Sequence, residues 1–243
     1  MNSTDTDVTQ NYDVEWSGTW NDARVIGPTA RHSRRLFLAM TADLSPNKIV
    51  DIGCGEGSLL AALGRMHSNA SLTGFEISDK ALSLAQLTLP NAEFSQLDVE
   101  KDTCERTFDL VVSADVIEHI KDDETAIANI AKMTAPGGRV VLSTLRGRMR
   151  DFERDIGHVR NYADRELQNK LAGAGLKVEL ELAWGFPFFS PIYRDLLNFL
   201  GNKGTVGKFG LGRRIVCNCL YWLFCLNSSR RGDYLFVRAV KEN

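Results

Sequence analysis

With 243 residues, 44% of them hydrophobic and 25% charged, the chain has the length and apolar content for one large domain, or a domain with a subdomain. A net charge of -2 supplies no general positive field, which argues against a nucleic-acid partner. Five cysteines, odd in number and without a CxxC pair, argue against a disulfide scaffold or a zinc finger and fit reduced thiols in the cytoplasm.

The opening MNSTDTDVTQN is polar and acidic, unlike a signal peptide, and reads as a loose arm. Tyr12, Trp16 and Trp20 follow, either as an aromatic arm over a site or as packing for the first helix. Pro28 opens that helix, Leu36, Phe37, Met40 and Leu44 share one face, and Pro46 follows its end. From Lys48 strands and helices alternate. KIVDI is a strand, GSLLAALGRM a helix with Leu59, Leu60, Leu63 and Met66 inward, and SLTGF a second strand. SDKALSLAQLTL is a helix opened by Ser78 or Asp79, and AEFSQ and FDLVVS are strands. DDETAIANIAKM is a helix burying Ile127, Ile130 and Ala131, with Asp122 and Asp123 read as its cap, and GGRVVLST is a strand. This alternation implies right-handed crossovers and a parallel sheet covered on both faces, an α/β three-layer sandwich.

The polar, Arg-rich stretch 145–163 breaks the rhythm. A helix follows from Asp164, with Leu167 and Leu171 inward and Gly175 closing it, and then the strand LKVELELAW. SPIYRDLLNFLG has the grammar of a short helix, with Ser190 as cap, Pro191 in the first turn and Gly201 at the end. A glycine-rich loop, the apolar helix IVCNCLYWLFCLN and the strand DYLFVRAVK complete the chain. The apolar helix is flanked by Lys203, Lys208, Arg213, Arg214, Arg230 and Arg231 and is too short to span a bilayer. It is either buried, as at a homodimer interface, or in peripheral membrane contact through residues 213–231.

In VDIGCGEG the glycines run G-x-G-x-G after a strand and before a helix, with Asp51 at the strand end. A dinucleotide fingerprint runs G-x-G-x-x-G and offers its helix N-terminus to a pyrophosphate. Glu76 ends the second strand, where a carboxylate can accept both hydroxyls of a ribose, which serves either kind of cofactor. Asp98, after the third strand, can accept a hydrogen bond from an adenine amino group while Ile77 and Val99 sandwich the ring.

On these residues the chain resembles the class I S-adenosylmethionine-dependent methyltransferases of the small-molecule type. VDIGCGEG, GFEIS, QLDVE, FDLVVSADVIEHI and MTAPGGRVVLS match the family's motifs in order over about residues 48–145, and GHVRNYADRELQNKLAGAGLKV extends the similarity to about 180. The resemblance implies a seven-stranded, mostly parallel sheet whose last strand, Tyr234 to Val240, is antiparallel. It implies four parts: an arm and helix over the cofactor (1–45), the cofactor-binding core (46–183), a helical, aromatic-rich lid (184–232) and the final strand (233–243). S-adenosylmethionine, leaving as S-adenosylhomocysteine, would be held by Asp51, Gly53, Cys54, Gly55, Gly57, Glu76, Ile77, Asp98, Val99, Ser113 and Ala114.

The chemistry implied is in-line methyl transfer to a small, apolar or aromatic metabolite, most simply an O-methylation in biosynthesis. The alternative is a non-catalytic binding partner or sensor of the same fold. A phenol or hydroxyl acceptor gains from a general base, for which His158 and His119 are candidates. His119 is alternatively a helix-opening residue paired with Glu118, and His158 a solvated loop residue. Arg160 and Tyr162 would orient substrate, or Arg160 is a surface charge. Arg31 either reaches the methionine carboxylate or lies exposed. His32 and His67 read as surface residues. No metal is expected, because the downstream Asp-Asn pair of metal-dependent relatives has no match.

Overall fold

The computed structural model describes residues 21–200 and 208–242. The aromatic arm of Tyr12, Trp16 and Trp20, and Gly201 and Lys203, lie outside them. The chain begins with α1 (Asn21–Ile26) and α2 (Pro28–Thr41) and then alternates: β1 (Lys48–Ile52), α3 (Ser58–Met66), β2 (Ser71–Glu76), α4 (Asp79–Thr88), β3 (Glu93–Gln96), β4 (Phe108–Ala114), α5 (Asp123–Met133) and β5 (Thr134–Leu145). After β5 come α6 (Asp151–Asp155), α7 (Glu166–Gly173), β6 (Leu176–Trp184), α8 (Arg194–Leu200), α9 (Leu211–Phe224) and β7 (Tyr234–Lys241).

The sheet has seven strands in the order β3-β2-β1-β4-β5-β7-β6. β1 to β5 are parallel, and β7 slots between β5 and β6 antiparallel to both; the antiparallel last strand is what the resemblance implied. Successive residues feed opposite faces, which is why the central strands are apolar at nearly every position. Val50, Ile52, Val111 and Leu142 meet Ile127 and Ile130 of α5 and Leu167 and Leu171 of α7 on one face. Ile49, Leu110, Val112 and Val141 meet Leu36, Phe37 and Met40 of α2, Leu60 and Leu63 of α3, and Phe224 of α9 on the other.

Local chemistry sets the helix starts. The Ser78 hydroxyl accepts from the Ala81 N–H and the Asp122 carboxylate from the Thr125 N–H, each satisfying an orphan donor of the first turn. Asp123 is no cap; it is buried and pairs with Arg160 and Lys170.

Two expectations need correction. Met66 is exposed, because it sits on the last turn of α3 beyond the sheet. His32 is fully buried rather than on the surface, stacked between Trp184 and Tyr221 with ring centroids 4.9 and 4.5 Å away. Arg35 donates to its Nδ1 and Nε2 meets the Tyr221 carbonyl oxygen at 2.9 Å, so the neutral ring is held with its proton on Nε2. Within this chain α9 is buried only along Cys217 and Phe224, and its opposite side is exposed. No helix among the described residues is long and apolar enough to cross a membrane.

Candidate active site

Strand order reverses between β1 and β4, and the crevice at the carboxyl ends of these strands is where an open α/β sheet receives ligands. A cavity of about 440 Å³ lies there. Its floor is the β1–α3 turn, where Gly53, Gly55 and Gly57 all have positive φ (71°, 53° and 80°). A Cβ on Gly53 would come within 2.4 Å of the Val116 side chain, so the turn needs glycine for space as well as for conformation.

Glu76, buried at the end of β2, holds this turn in place. Its Oε2 accepts from the Gly55 N–H (3.0 Å), and its Oε1 accepts from the Ile77 and Ser78 N–H groups (2.8 and 3.1 Å). Oε1 is thereby filled, while Oε2 keeps one lone pair for a further donor. Burial raises the Glu76 carboxyl above its ordinary range, against the pull of those three bonds. Asp51 is 1% exposed and its Oδ1 has no hydrogen-bond partner among the described residues. Burial, and then the nearby Glu56 and Glu76, push the Asp51 carboxyl well above the usual carboxylate range. A buried, under-satisfied carboxylate flanked by two more acids favours a cationic ligand group and repels a pyrophosphate.

Cys54, Ile77, Asp98, Val99 and Ala114 line the same cavity. Asp98 is partly open, with Oδ1 accepting from the Glu100 N–H at 3.1 Å and Oδ2 paired to Lys101 at 3.0 Å. Ser113 does not line the cavity. Its hydroxyl donates to the Ile52 carbonyl at 2.9 Å and ties β4 to β1. Gly57 does not line it either; it starts α3 against Ala85.

A polar cluster also lines the cavity. Asp115 follows β4 at a positive φ of 56°, uncommon for a residue with a side chain, and accepts from the Ser143 and Tyr234 hydroxyls at 2.8 and 2.6 Å. Glu118 is fully buried, with Oε2 accepting from the Thr144 hydroxyl at 3.0 Å and Oε1 without a partner among the described residues. Burial, then the neighbouring Asp115, raises its carboxyl well above the ordinary range. His119 and His158 meet edge to face at 4.6 Å, and one donor atom each of Glu118, His119 and His158 lie within 4.8 Å of one another. Burial lowers both histidines, His119 to about 3, so each ring is neutral near pH 7.

Arg160 and Tyr162 are not in the cavity. Both turn toward α5, where the Tyr162 hydroxyl donates to Asp123 at 2.7 Å and Arg160 pairs with the same carboxylate at 2.7 Å. Arg31 points away from it too, stacking over the Tyr221 ring at 3.7 Å and donating to Asn218. The arginines that do line it are Arg24, Arg34 and Arg194, and the sequence reading missed all three. Arg34 sits one helical turn from Arg31, so register alone separated them. Phe189, Tyr193, Leu197 and Phe209 cover the apolar side.

A family model described as a methyltransferase domain matches residues 27–181. Over 108 residues the chain is 36% identical to the ubiquinone biosynthesis O-methyltransferase of Alkalilimnicola ehrlichii, covering 42% of this chain and 43% of that protein. The corresponding enzyme of Nitrosomonas europaea is 36% identical over 109 residues, covering 42% and 45%. The match therefore spans less than half the length of these relatives. Among solved structures, the N-methyltransferase NodS from Bradyrhizobium japonicum, in complex with S-adenosylhomocysteine, superposes with a TM-score of 0.65 at 17% identity, covering 97% of this chain and 98% of that one. The [4+2]-cyclase SpnF superposes with a TM-score of 0.66 at 18% identity, covering 98% and 97%. At these identities the superpositions establish the shared fold.

Proposed function

This chain belongs to the methyltransferase domain family, and on that premise we propose that it is an enzyme that uses S-adenosylmethionine to methylate, most simply at oxygen, a small and partly apolar biosynthetic metabolite. The observation that carries the reading is the buried Asp51 carboxylate, unsatisfied at Oδ1, beside a glycine turn held by Glu76. S-adenosylmethionine is cationic at its sulfonium and ammonium groups and carries no phosphate, so it suits this acidic floor. When bound, it supplies an electrophilic methyl group on sulfur.

The residues divide the work. Asp51 takes the ammonium, and Gly53, Cys54 and Gly55 let backbone approach the amino-acid end. Glu76 takes a ribose hydroxyl through Oε2, and Asp98 takes the adenine amino group between Ile77 and Val99. Ala114 closes the same wall. At the other end neutral His158, with His119 against it, holds the proton of an acceptor hydroxyl, and the aromatic side chains of the lid exclude water. Of the described residues, 21–45, 184–200 and 208–232 act as covers over a core of 46–183 completed by 233–242. The oxygen acceptor is favoured by the curated relatives' printed activity and by a neutral imidazole in the cavity.

The test is calorimetry with S-adenosylhomocysteine followed by transfer of labelled methyl into fractionated cell extract. Asp51→Asn is expected to weaken binding about tenfold to a hundredfold, the range of a hydrogen bond to a charged group. Unchanged affinity would remove Asp51 from the site. Label in the organic fraction supports the acceptor class; tight binding with no transfer to any fraction favours the non-catalytic binder.

A further inference from the structure

The side of α9 away from the core carries Leu211, Ile215, Cys219 and Trp222 at spacings of four, four and three residues, with Leu226 just beyond its end. All five are exposed, Leu211 by 77% and Trp222 and Leu226 by 69% each. On the neighbouring lid segment Ile192, Leu196 and Phe199 repeat the pattern, and Phe199 is 87% exposed. Tyr193, Leu197 and Cys217, on the inner sides of the same two segments, line the cavity. An apolar row on a helix that spends its other side on the core has an occupant outside the fold.

Charge chooses the occupant. Residues 208–232 carry Lys208, Arg213, Arg214, Arg230 and Arg231 and no acidic residue, in a chain whose net charge is -2. The acids that reach these segments are engaged: Asp22 accepts from the Phe209 N–H, and Asp195 on α8 pairs with Arg148 and Arg150. Arg31, packed over Tyr221, adds a further cation on the flank of α9. A second copy across a two-fold axis would set these cations opposite one another with no acid to offset them. A lipid surface bearing anionic headgroups offers hydrocarbon to the row and phosphate to its flanks.

We propose that the outer sides of α8 and α9 seat this protein on an anionic membrane surface, with Leu211, Ile215, Trp222 and Leu226 entering the headgroup region. Such a helix lies in the plane of the interface, in keeping with its length. Seating here sets the lid's outer wall on lipid while its inner wall faces the cavity. The seat does not depend on methyl transfer, so it stands or fails separately from the reading of the cavity.

Sedimentation of the full chain with vesicles tests it, comparing phosphatidylcholine alone with a 3:1 mixture of phosphatidylcholine and phosphatidylglycerol. The mixed vesicles are expected to bind at least tenfold more tightly and to shift the emission of Trp222 to the blue, a shift absent in Trp222→Phe. Lys208→Ala with Arg230→Ala is expected to weaken binding about thirtyfold, at about 1 kcal/mol per cation. Ile215→Ser with Trp222→Ser is expected to weaken it at least tenfold while S-adenosylhomocysteine binding and the circular dichroism spectrum stay unchanged. Equal binding to both vesicles, wild-type binding by either double variant, or a stable dimer in light scattering that ignores vesicles would overturn the proposal.

Discussion

On the proposed reading, histidine is the residue whose chemistry the reaction would use in this cavity. His158 is 9% exposed, and burial holds it below 6.5 even though Glu153 and Asp115 pull the other way. A base kept neutral in this way loses activity only when pH falls below about 6.5, so kcat is expected to be level from pH 7 to 9 and to decline on the acid side. His158→Ala should lower kcat about a hundredfold or more and leave cofactor affinity alone. Single-turnover rates beside calorimetry separate the two, and an unchanged rate would retire His158 as the base. The proposed cofactor end was legible as a cluster because its residues lie within a few positions of a strand end: Asp51 on β1, Gly53 just after it, Glu76 on β2, Asp98 after β3. The acceptor end was not. Asp115 is held by Tyr234 and Glu118 by Thr144, partners 119 and 26 residues away that no local pattern announces. Arg160 and Tyr162 misled for the same reason, since Asp123 draws them off to α5.

Element by element, the strands and the capped helices could be read from periodicity and from Ser78 and Asp122. What periodicity could not show is how the segment proposed as a lid is fastened. Arg194, at the start of α8, is 1% exposed and donates to Glu153 of α6 and to Asp233 just before β7. Arg150 reaches Asp195 at 2.7 Å, so two arginines and three acids clasp α6, α8 and the β7 entry together. Removing one partner of a buried pair strands the other charge. Glu153→Ala is therefore expected to lower unfolding stability by about 3–5 kcal/mol in urea titration, well beyond a surface pair of about 0–1 kcal/mol. A loss within the surface range would show that Arg194 finds water once Glu153 is gone.

For the molecule as a whole, the buried titratable groups set the pH range of stability. His32, His119 and His158 are all lowered by burial, so the folded state binds fewer protons than the unfolded chain below about pH 6.5. Their contribution is complete above 6.5 and is lost as pH falls toward their folded values, about 4 for His32. Asp51 and Glu118 are raised and act in the opposite sense, so part of the acid-side loss is offset. His32→Gln should flatten the acid-side slope of unfolding free energy by up to about 1.4 kcal/mol per pH unit. An unaltered slope between pH 4.5 and 6.5 would place the proton uptake elsewhere. The position of β7 has a consequence in time. During synthesis β5 and β6 are complete before Tyr234–Lys241 leaves the ribosome, yet both must receive that strand between them. Until then two rows of backbone donors and acceptors stand open, a hazard for pairing with other chains. Asp115 also waits for the Tyr234 hydroxyl, so the cavity wall around Asp115 takes its shape only when the last strand goes in.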